Sequence, residues 1–237
     1  MDLNNKVLWT VEVFGVDVWI TQSVFNTWLI MAALCLFAAV VRIKLRKFKA
    51  VPRGFQNVIE LAVESFDKIV KSAAGEEFMV LGNWFFMVFA FIFVANISGI
   101  VGLRPPTADW NTAFALALAT FVLIQAMGIR HRKGKYLKSF IEPNFVFLPL
   151  NIIGELSRPI SLSFRLFGNV LAGYILSALV YDSRFLRILL PVALHAYFDL
   201  FAGLLQTYIF CVLSLTFIGN AASAAEPSAV PRTPEAG

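Results

Sequence analysis

Residues 78–103 read FMVLGNWFFMVFAFIFVANISGIVGL and contain no Asp, Glu, Lys or Arg. A membrane-spanning helix needs about 20 consecutive apolar residues, so this stretch is long enough to cross a bilayer. The stretches 18–41, 110–129 and 200–225 are also free of charged residues. The chain is therefore predicted to cross a membrane several times.

The composition of the whole chain supports the same prediction. Of its 237 residues, 59% are hydrophobic and only 15% are charged, and the mean hydropathy is +0.75. Soluble domains carry about 25% charged residues, so the charges are too few to cover a water-soluble enzyme. The hydrophobic content also excludes a disordered chain. Cys35 and Cys211 lie inside apolar runs, where no disulfide is expected, and no cleavable signal or transit peptide is evident at the N-terminus.

The net charge of +5 comes mainly from basic residues beside the apolar runs. They form two clusters, the first made of Arg42, Lys44, Arg46, Lys47, Lys49 and Arg53, and the second of Arg130, Arg132, Lys133, Lys135 and Lys138. Loops rich in Lys and Arg stay in the cytoplasm, so both clusters indicate orientation and not nucleic-acid binding. The N-terminus is then expected outside and the C-terminus in the cytoplasm.

These patterns predict an all-α integral membrane protein with about five membrane helices in a single domain, residues 1–219. The spans are expected at about 24–41, 82–103, 110–129, 145–180 and 188–219. The last two exceed the length of a perpendicular crossing, so they should form a strongly tilted or kinked hairpin. Residues 56–72 have helical periodicity with a charged face, which fits an interfacial helix or a solvated connecting helix. The tail, 220–237, is rich in Ala, Ser and Pro and is expected to be disordered.

A few ionisable residues lie within the predicted spans. Such a residue costs about 2.5–3.5 kcal/mol to insert, and it usually faces protein or a water-filled cavity. Arg165 has a structural interpretation, in which it pairs with Glu155 or reaches the membrane interface. It also has a functional interpretation, in which its permanent positive charge favours the ionised form of a nearby carboxylate. Arg158 lies seven residues earlier, where an ion pair with Glu155 or an interface anchor is the simpler interpretation.

A second polar group surrounds Asp199. His195 precedes it by four residues and Gln206 follows it by seven, so a regular helix would place all three on one face. They could form a hydrogen-bond cluster between helices or a polar path that admits water and protons. No P-loop, GxGxxG motif or metal-spaced group of Cys and His occurs in the sequence, so no cofactor and no nucleotide chemistry are expected on this chain.

Residues 159–169, PISLSFRLFGN, with Leu171-Ala172-Gly173 after them, closely resemble the signature of subunit a of F-type ATP synthases. The segments QTYIF at 206–210, PPTAD at 105–109 and PLN at 149–151 are also similar to that family. The resemblance covers roughly residues 20–220. It implies the stator of a rotary motor in the Fo membrane sector, beside a ring of c subunits that each carry one membrane carboxylate, with a peripheral stalk of b subunits and the remaining ATP synthase subunits.

The resemblance also implies roles for individual residues. Arg165 takes the place of the essential arginine that faces the ring carboxylate, and two half-channels reach that carboxylate from opposite sides. Tyr174 departs from the family, where some relatives have an acid or His, and His195 could compensate for it. The residues expected to line the ion path are Asp199, His195, Gln206, Asn169, Tyr174, Glu155 and Arg158.

Two alternatives to a proton-driven motor stay open on the sequence alone. An ion-coupled secondary transporter would also explain the charges in the spans, although it favours two related halves and no internal repeat is visible. The same motor could instead use sodium. The resemblance implies a bacterial plasma membrane, with an organelle-encoded copy as the alternative. Because the chain would be a subunit that binds no nucleotide, its status as an enzyme by itself stays open.

Overall fold

The computed structural model describes residues 7–13, 16–45, 48, 52–141, 144–182 and 190–223. Its strands are β1 (Val7–Val13) and β2 (Val16–Thr21). Its α-helices are α1 (Gln22–Leu45), α2 (Phe55–Ala73), α3 (Gly82–Ile97), α4 (Trp110–Arg132), α5 (Gly134–Ser139), α6 (Leu148–Asp182), α7 (Leu190–His195) and α8 (Gly203–Ser223). A π-helical segment, Ala196–Ala202, joins α7 to α8, and short 3-10 turns cover Glu76–Leu81, Pro106–Ala108 and Phe145–Phe147.

Five helical segments among the described residues are long and apolar enough to cross a membrane. They are Gln22–Leu45, Glu76–Ile97, Trp110–Arg132, Phe145–Gly173 and Ala196–Ala222. The predicted fold class, an all-α integral membrane protein with about five membrane helices, is therefore confirmed. The strong tilt of the last two spans stays a prediction.

An antiparallel hairpin at the N-terminus was not predicted. Its two strands pair from Val7 with Thr21 to Val13 with Val16. Val, Trp, Ile and Thr dominate both strands, and these residues favour extended backbone. β2 runs directly into α1, and the rings of Trp9 and Phe25 meet edge to face at 6.1 Å. The hairpin is therefore fixed to the start of the first span.

The amphipathic helix α2 packs one face against the bundle. Phe66 and Val70 in its second half are buried, whereas Val58 and Leu61 in its first half are exposed. Its end meets the end of α8, where a Cβ added to Gly219 would lie only 3.2 Å from the backbone of Ala74. Two exposed apolar side chains on a helix between spans suit a bilayer interface better than bulk water.

The core lies among α3, α4, α6 and α8, with the buried face of α2 against it. Ala113 and Ala117 are fully buried one turn apart on α4, and small residues at this spacing let neighbouring helices approach closely. Helix α4 packs against both α6 and α8. The largest fully buried side chains of this core are Phe78, Phe85, Phe210, Ile92, Ile124, Leu166, Leu215 and Ile218.

The two long C-terminal helical regions position the candidate site. Helix α6 has 35 residues and is about 52 Å long at 1.5 Å per residue, which exceeds the roughly 30 Å hydrocarbon core. Helix α8 continues to Ser223, so residues 220–223 of the predicted disordered tail are helical. Ala221 is buried in the core, and this packing stabilises the end of the helix. The rest of that predicted tail, 224–237, lies outside the described residues.

Candidate functional site

Arg165 lies on α6 with an exposed side chain, next to the apolar Phe164, which is 57% exposed. Within the described residues, no ion pair or hydrogen bond partner of Arg165 is found. The guanidinium is charged at any accessible pH. The helix therefore presents a permanent positive charge on an otherwise apolar surface.

Exposed apolar side chains occur on α6, which carries Arg165, and on the elements packed beside it. Helix α6 packs beside the π segment and α8, and each element carries a row of exposed large apolar side chains. On α6 these are Leu150, Ile152, Ile153, Leu156, Ile160, Phe164, Ile175, Leu176 and Leu179, and on the π segment and α8 they are Tyr197, Leu200, Phe201, Leu204, Leu205, Tyr208 and Ile209. A charge in the hydrocarbon core of a bilayer costs several kcal/mol unless it faces protein or water or pairs with an opposite charge.

Glu155 pairs with Arg158 and not with Arg165. Arg158 Nη2 lies 2.8 Å from Glu155 Oε1, three residues apart on α6. The Arg158 guanidinium lies over the ring of Phe217, 4.8 Å from its centroid. The structure therefore contains the predicted local ion pair between Arg158 and Glu155. Glu155 does not pair with Arg165, which was the alternative considered for Arg165.

The other oxygen of Glu155 binds a residue of a different helix. Gln125 Nε2 on α4 donates to Glu155 Oε2 at 3.0 Å, and Tyr136 Oη on α5 donates to Gln125 Oε1 at 2.7 Å. Burial raises the pKa of the Tyr136 phenol, and the neighbouring Glu155 adds to this increase. The phenol therefore keeps its proton near neutral pH and stays a hydrogen-bond donor.

Asp199 lies inside the π segment and faces the end of α3. A Cβ added to Gly99 would lie 2.8 Å from Asp199 Oδ2 and 3.1 Å from its Cγ, so a larger residue at this position would have to displace the carboxylate. Segments of π-helix are rare and occur often at functional sites. On the same segment, Phe198 packs against Gly173 of α6, where a Cβ would lie 2.9 Å from the Phe198 Cβ.

One turn before Gly99, Asn96 joins α3 to α8. Its Nδ2 donates to the Gly203 carbonyl at 3.1 Å and lies 3.4 Å from Thr207 Oγ1. Within the described structure, Asn96 Oδ1 and Gln206 Nε2 are buried without a protein partner. Buried polar atoms of this kind usually bind water.

The family model for the ATP synthase A chain matches residues 24–219. The chain belongs to this family. It is 38% identical over 208 residues to ATP synthase subunit a 2 of Bradyrhizobium sp., covering 85% of this chain and 89% of that protein. It is 35% identical to ATP synthase subunit a 2 of Picosynechococcus sp. over 87% of this chain and 88% of the relative. It is also 35% identical to ATP synthase subunit a of Moorella thermoacetica over 89% of this chain and 95% of the relative.

Membership of the ATP synthase A chain family confirms the functional prediction. The chain is a multi-pass membrane subunit of ATP synthase, and it belongs to the Fo complex together with other subunits. Membership favours this assignment over the secondary transporter. The ion that drives the motor and the roles of individual residues stay predictions.

The structure changes the spacing argument for one group of predicted site residues in this ATP synthase subunit. The π segment interrupts the regular helix from Ala196 to Ala202, so the 3.6-residue spacing that put His195, Asp199 and Gln206 on one face does not apply across it. The side chains of His195 and Tyr174 lie outside the described residues. Asn169, one turn after Arg165, is half-buried, and its Nδ2 is buried without a partner in the described part of the chain.

Three residues that the sequence analysis did not select join these groups: Asn96, Gln125 and Tyr136. Asn96 and Gln125 are neutral amides within charge-free runs, where a search for charged residues does not find them. Tyr136 lies within the second basic cluster, which the sequence analysis used only for orientation. A search for amides and tyrosines near the predicted spans would have found all three.

Proposed function

We propose that this chain is the stator of a proton-driven ATP synthase and provides two half-channels to and from the carboxylates of the c-ring. In this proposal the b subunits of the peripheral stalk hold the chain in a bacterial plasma membrane, with the N-terminus outside and the C-terminus in the cytoplasm. The observation that carries the proposal is the exposed Arg165 on an apolar helix surface. A ring of membrane carboxylates supplies an opposite charge for Arg165.

Arg165 controls the protonation of a carboxylate that comes close to it. A fixed positive charge favours the ionised form of a nearby acid, so a ring carboxylate arriving beside Arg165 loses its proton. Away from Arg165, the protonated and neutral carboxyl tolerates lipid. Because the guanidinium does not titrate, Arg165 also separates the two half-channels without passing protons itself.

The two polar groups of the structure lie on opposite sides of Arg165 along α6. Glu155 precedes Arg165 by ten residues, about 15 Å along the helix axis. Gly173, which contacts the π segment that carries Asp199, follows Arg165 by eight residues, about 12 Å. With the basic clusters in the cytoplasm, Glu155 lies toward the cytoplasmic end of α6, whereas Asn96 and Gly99 lie at the outer end of α3. The Asp199 group then suits proton uptake, and the Glu155 group suits proton release.

The decisive experiment uses the complete synthase in liposomes, with an imposed pH gradient and membrane potential in sodium-free buffer. Arg165→Ala should abolish ATP synthesis while the complex still copurifies with its c-ring. Arg165→Lys is the matched variant, because it keeps the charge but loses the planar, delocalised guanidinium. Full coupling in Arg165→Ala would contradict the proposal, and synthesis that requires sodium would replace the proton by sodium in the same mechanism.

A further inference from the structure

Two hydrogen bonds connect α5 to α6 through α4, and an ion pair within α6 completes the group. Tyr136 Oη donates to Gln125 Oε1, Gln125 Nε2 donates to Glu155 Oε2, and Arg158 holds Glu155 Oε1. Gln125 therefore accepts from Tyr136 through its amide oxygen and donates to Glu155 through its amide nitrogen. Each oxygen of this carboxylate therefore has its own donor, one from α4 and one from α6.

Packing fixes the position of the Tyr136 hydroxyl. The ring is only 4% exposed, and it lies against Gly128, where a Cβ would come within 2.7 Å of the Tyr136 Cε2. Phe140 meets the ring edge to face at 5.3 Å, and the guanidinium of Arg132 lies 5.9 Å from its centroid. A ring held on several sides keeps its hydroxyl on Gln125, and Gln125 then keeps its amide nitrogen toward Glu155.

We propose that Gln125 and Tyr136 are positioning residues for Glu155, which hold its carboxylate in the orientation that releases protons to the cytoplasm. The inference rests on the proposed function, in which Glu155 lines the release half-channel. The proton that a ring carboxyl loses beside Arg165 passes through water to a carboxylate oxygen of Glu155, and the resulting carboxyl group gives that proton to cytoplasmic water and becomes a carboxylate again. Gln125 and Tyr136 keep their own protons throughout.

The test measures proton-driven ATP synthesis by the complete synthase in liposomes. Tyr136→Phe removes only the hydroxyl and leaves the ring on Gly128, and Gln125→Leu removes the amide that binds Glu155. Losing one such hydrogen bond should slow synthesis about 3- to 10-fold in each variant. Thr120→Val is the matched control on α4. It also removes a buried hydroxyl, but this hydroxyl donates to the Leu116 carbonyl of its own helix at 3.0 Å, so the rate should not change.

A second measurement separates positioning from a merely structural role. In a Glu155→Gln background, Tyr136→Phe should cause no further loss, because the carboxylate that Tyr136 positions is already absent. A further loss by the same factor in that background would overturn the inference, and so would a wild-type rate in Tyr136→Phe alone.

The proposed function and the inference can fail separately. If Glu155→Gln synthesises ATP at the wild-type rate, Glu155 is not in the release path and the inference is overturned. The stator assignment would still stand if Arg165→Ala abolishes synthesis in the same preparation. If Arg165→Ala retains full coupling, the proposed function itself fails, whatever the behaviour of Tyr136.

Discussion

Replacing Gly99 with alanine should slow proton uptake without preventing assembly. Gly99 follows α3 and does not have a left-handed backbone conformation, so alanine is compatible with the chain at this position. The added Cβ would lie 2.8 Å from Asp199 Oδ2 and 3.3 Å from Oδ1. The substitution therefore acts mainly on the carboxylate of Asp199.

The size of the effect follows from the displacement that the methyl group requires. Ordinary contact begins near 3.4 Å, so Oδ2 must move from 2.8 Å to that distance, a shift of about 0.6 Å. Forcing a side chain away from its preferred rotamer costs about 0.5–1.5 kcal/mol. If the uptake step bears this cost, the rate falls about 2- to 10-fold, and the free energy of unfolding falls by at most the same amount, about 0.5–1.5 kcal/mol.

The assay is passive proton conduction through the membrane sector in liposomes, read with a pH-sensitive dye. Asp199→Ala gives the effect of losing the carboxylate entirely, and it should slow conduction more than Gly99→Ala while the complex still assembles. Gly134→Ala is the control glycine, because a Cβ there meets no atom within 4 Å. If Gly99→Ala conducts at the wild-type rate while Asp199→Ala is slow, the position of the carboxylate does not set the rate and the reasoning is refuted.

Three further predictions test the packing of the bundle. In detergent, a membrane-permeant maleimide should modify the exposed Cys35 and leave the buried Cys211 unreacted; equal labelling rates would contradict the placement of α8. Phe85→Ala should lower the free energy of unfolding by about 3–5 kcal/mol, because the ring is fully buried; a change below 1 kcal/mol in a thermal or denaturant titration would count against this core. Gly173→Ala should cost about 1–3 kcal/mol through its clash with Phe198, and unchanged stability would show that the π segment does not pack there.

The long spans could be predicted because the hydropathy of a segment depends only on the residues of that segment. A run without charge, such as 78–103, must avoid water whatever its neighbours are, and its length alone indicates that it crosses a bilayer. Arg165 and Asp199 could also be selected as candidate site residues from the sequence, because a charge in an apolar run is costly and therefore unusual. The N-terminal hairpin was missed because its stability depends on pairing between β1 and β2 and on the contact of Trp9 with Phe25, and no single segment shows either.

The ion pair of Arg158 with Glu155 was predicted from the sequence, but the neutral residues of the two polar groups could not be predicted. A neutral amide such as Asn96 or Gln125 costs less to bury than a charge, so its presence in an apolar run gives a weak signal. What makes each of them informative is the residue that it meets on another helix, Gly203 for Asn96 and Glu155 for Gln125. The π segment is also a hydrogen-bonding pattern of the backbone, which residue types alone do not specify.

The two polar groups on either side of Arg165 differ in how completely their hydrogen bonds are made. Around Glu155, the described residues give both carboxylate oxygens a protein donor, and a fully satisfied network is rigid. Around Asn96 and Gln206, buried polar atoms lack a protein partner in the described structure, and such atoms require water. We therefore expect uptake to depend on hydration and release to depend on geometry. Removing a polar atom near Asn96 should alter water access, whereas removing one near Glu155 should alter the orientation of a single carboxylate.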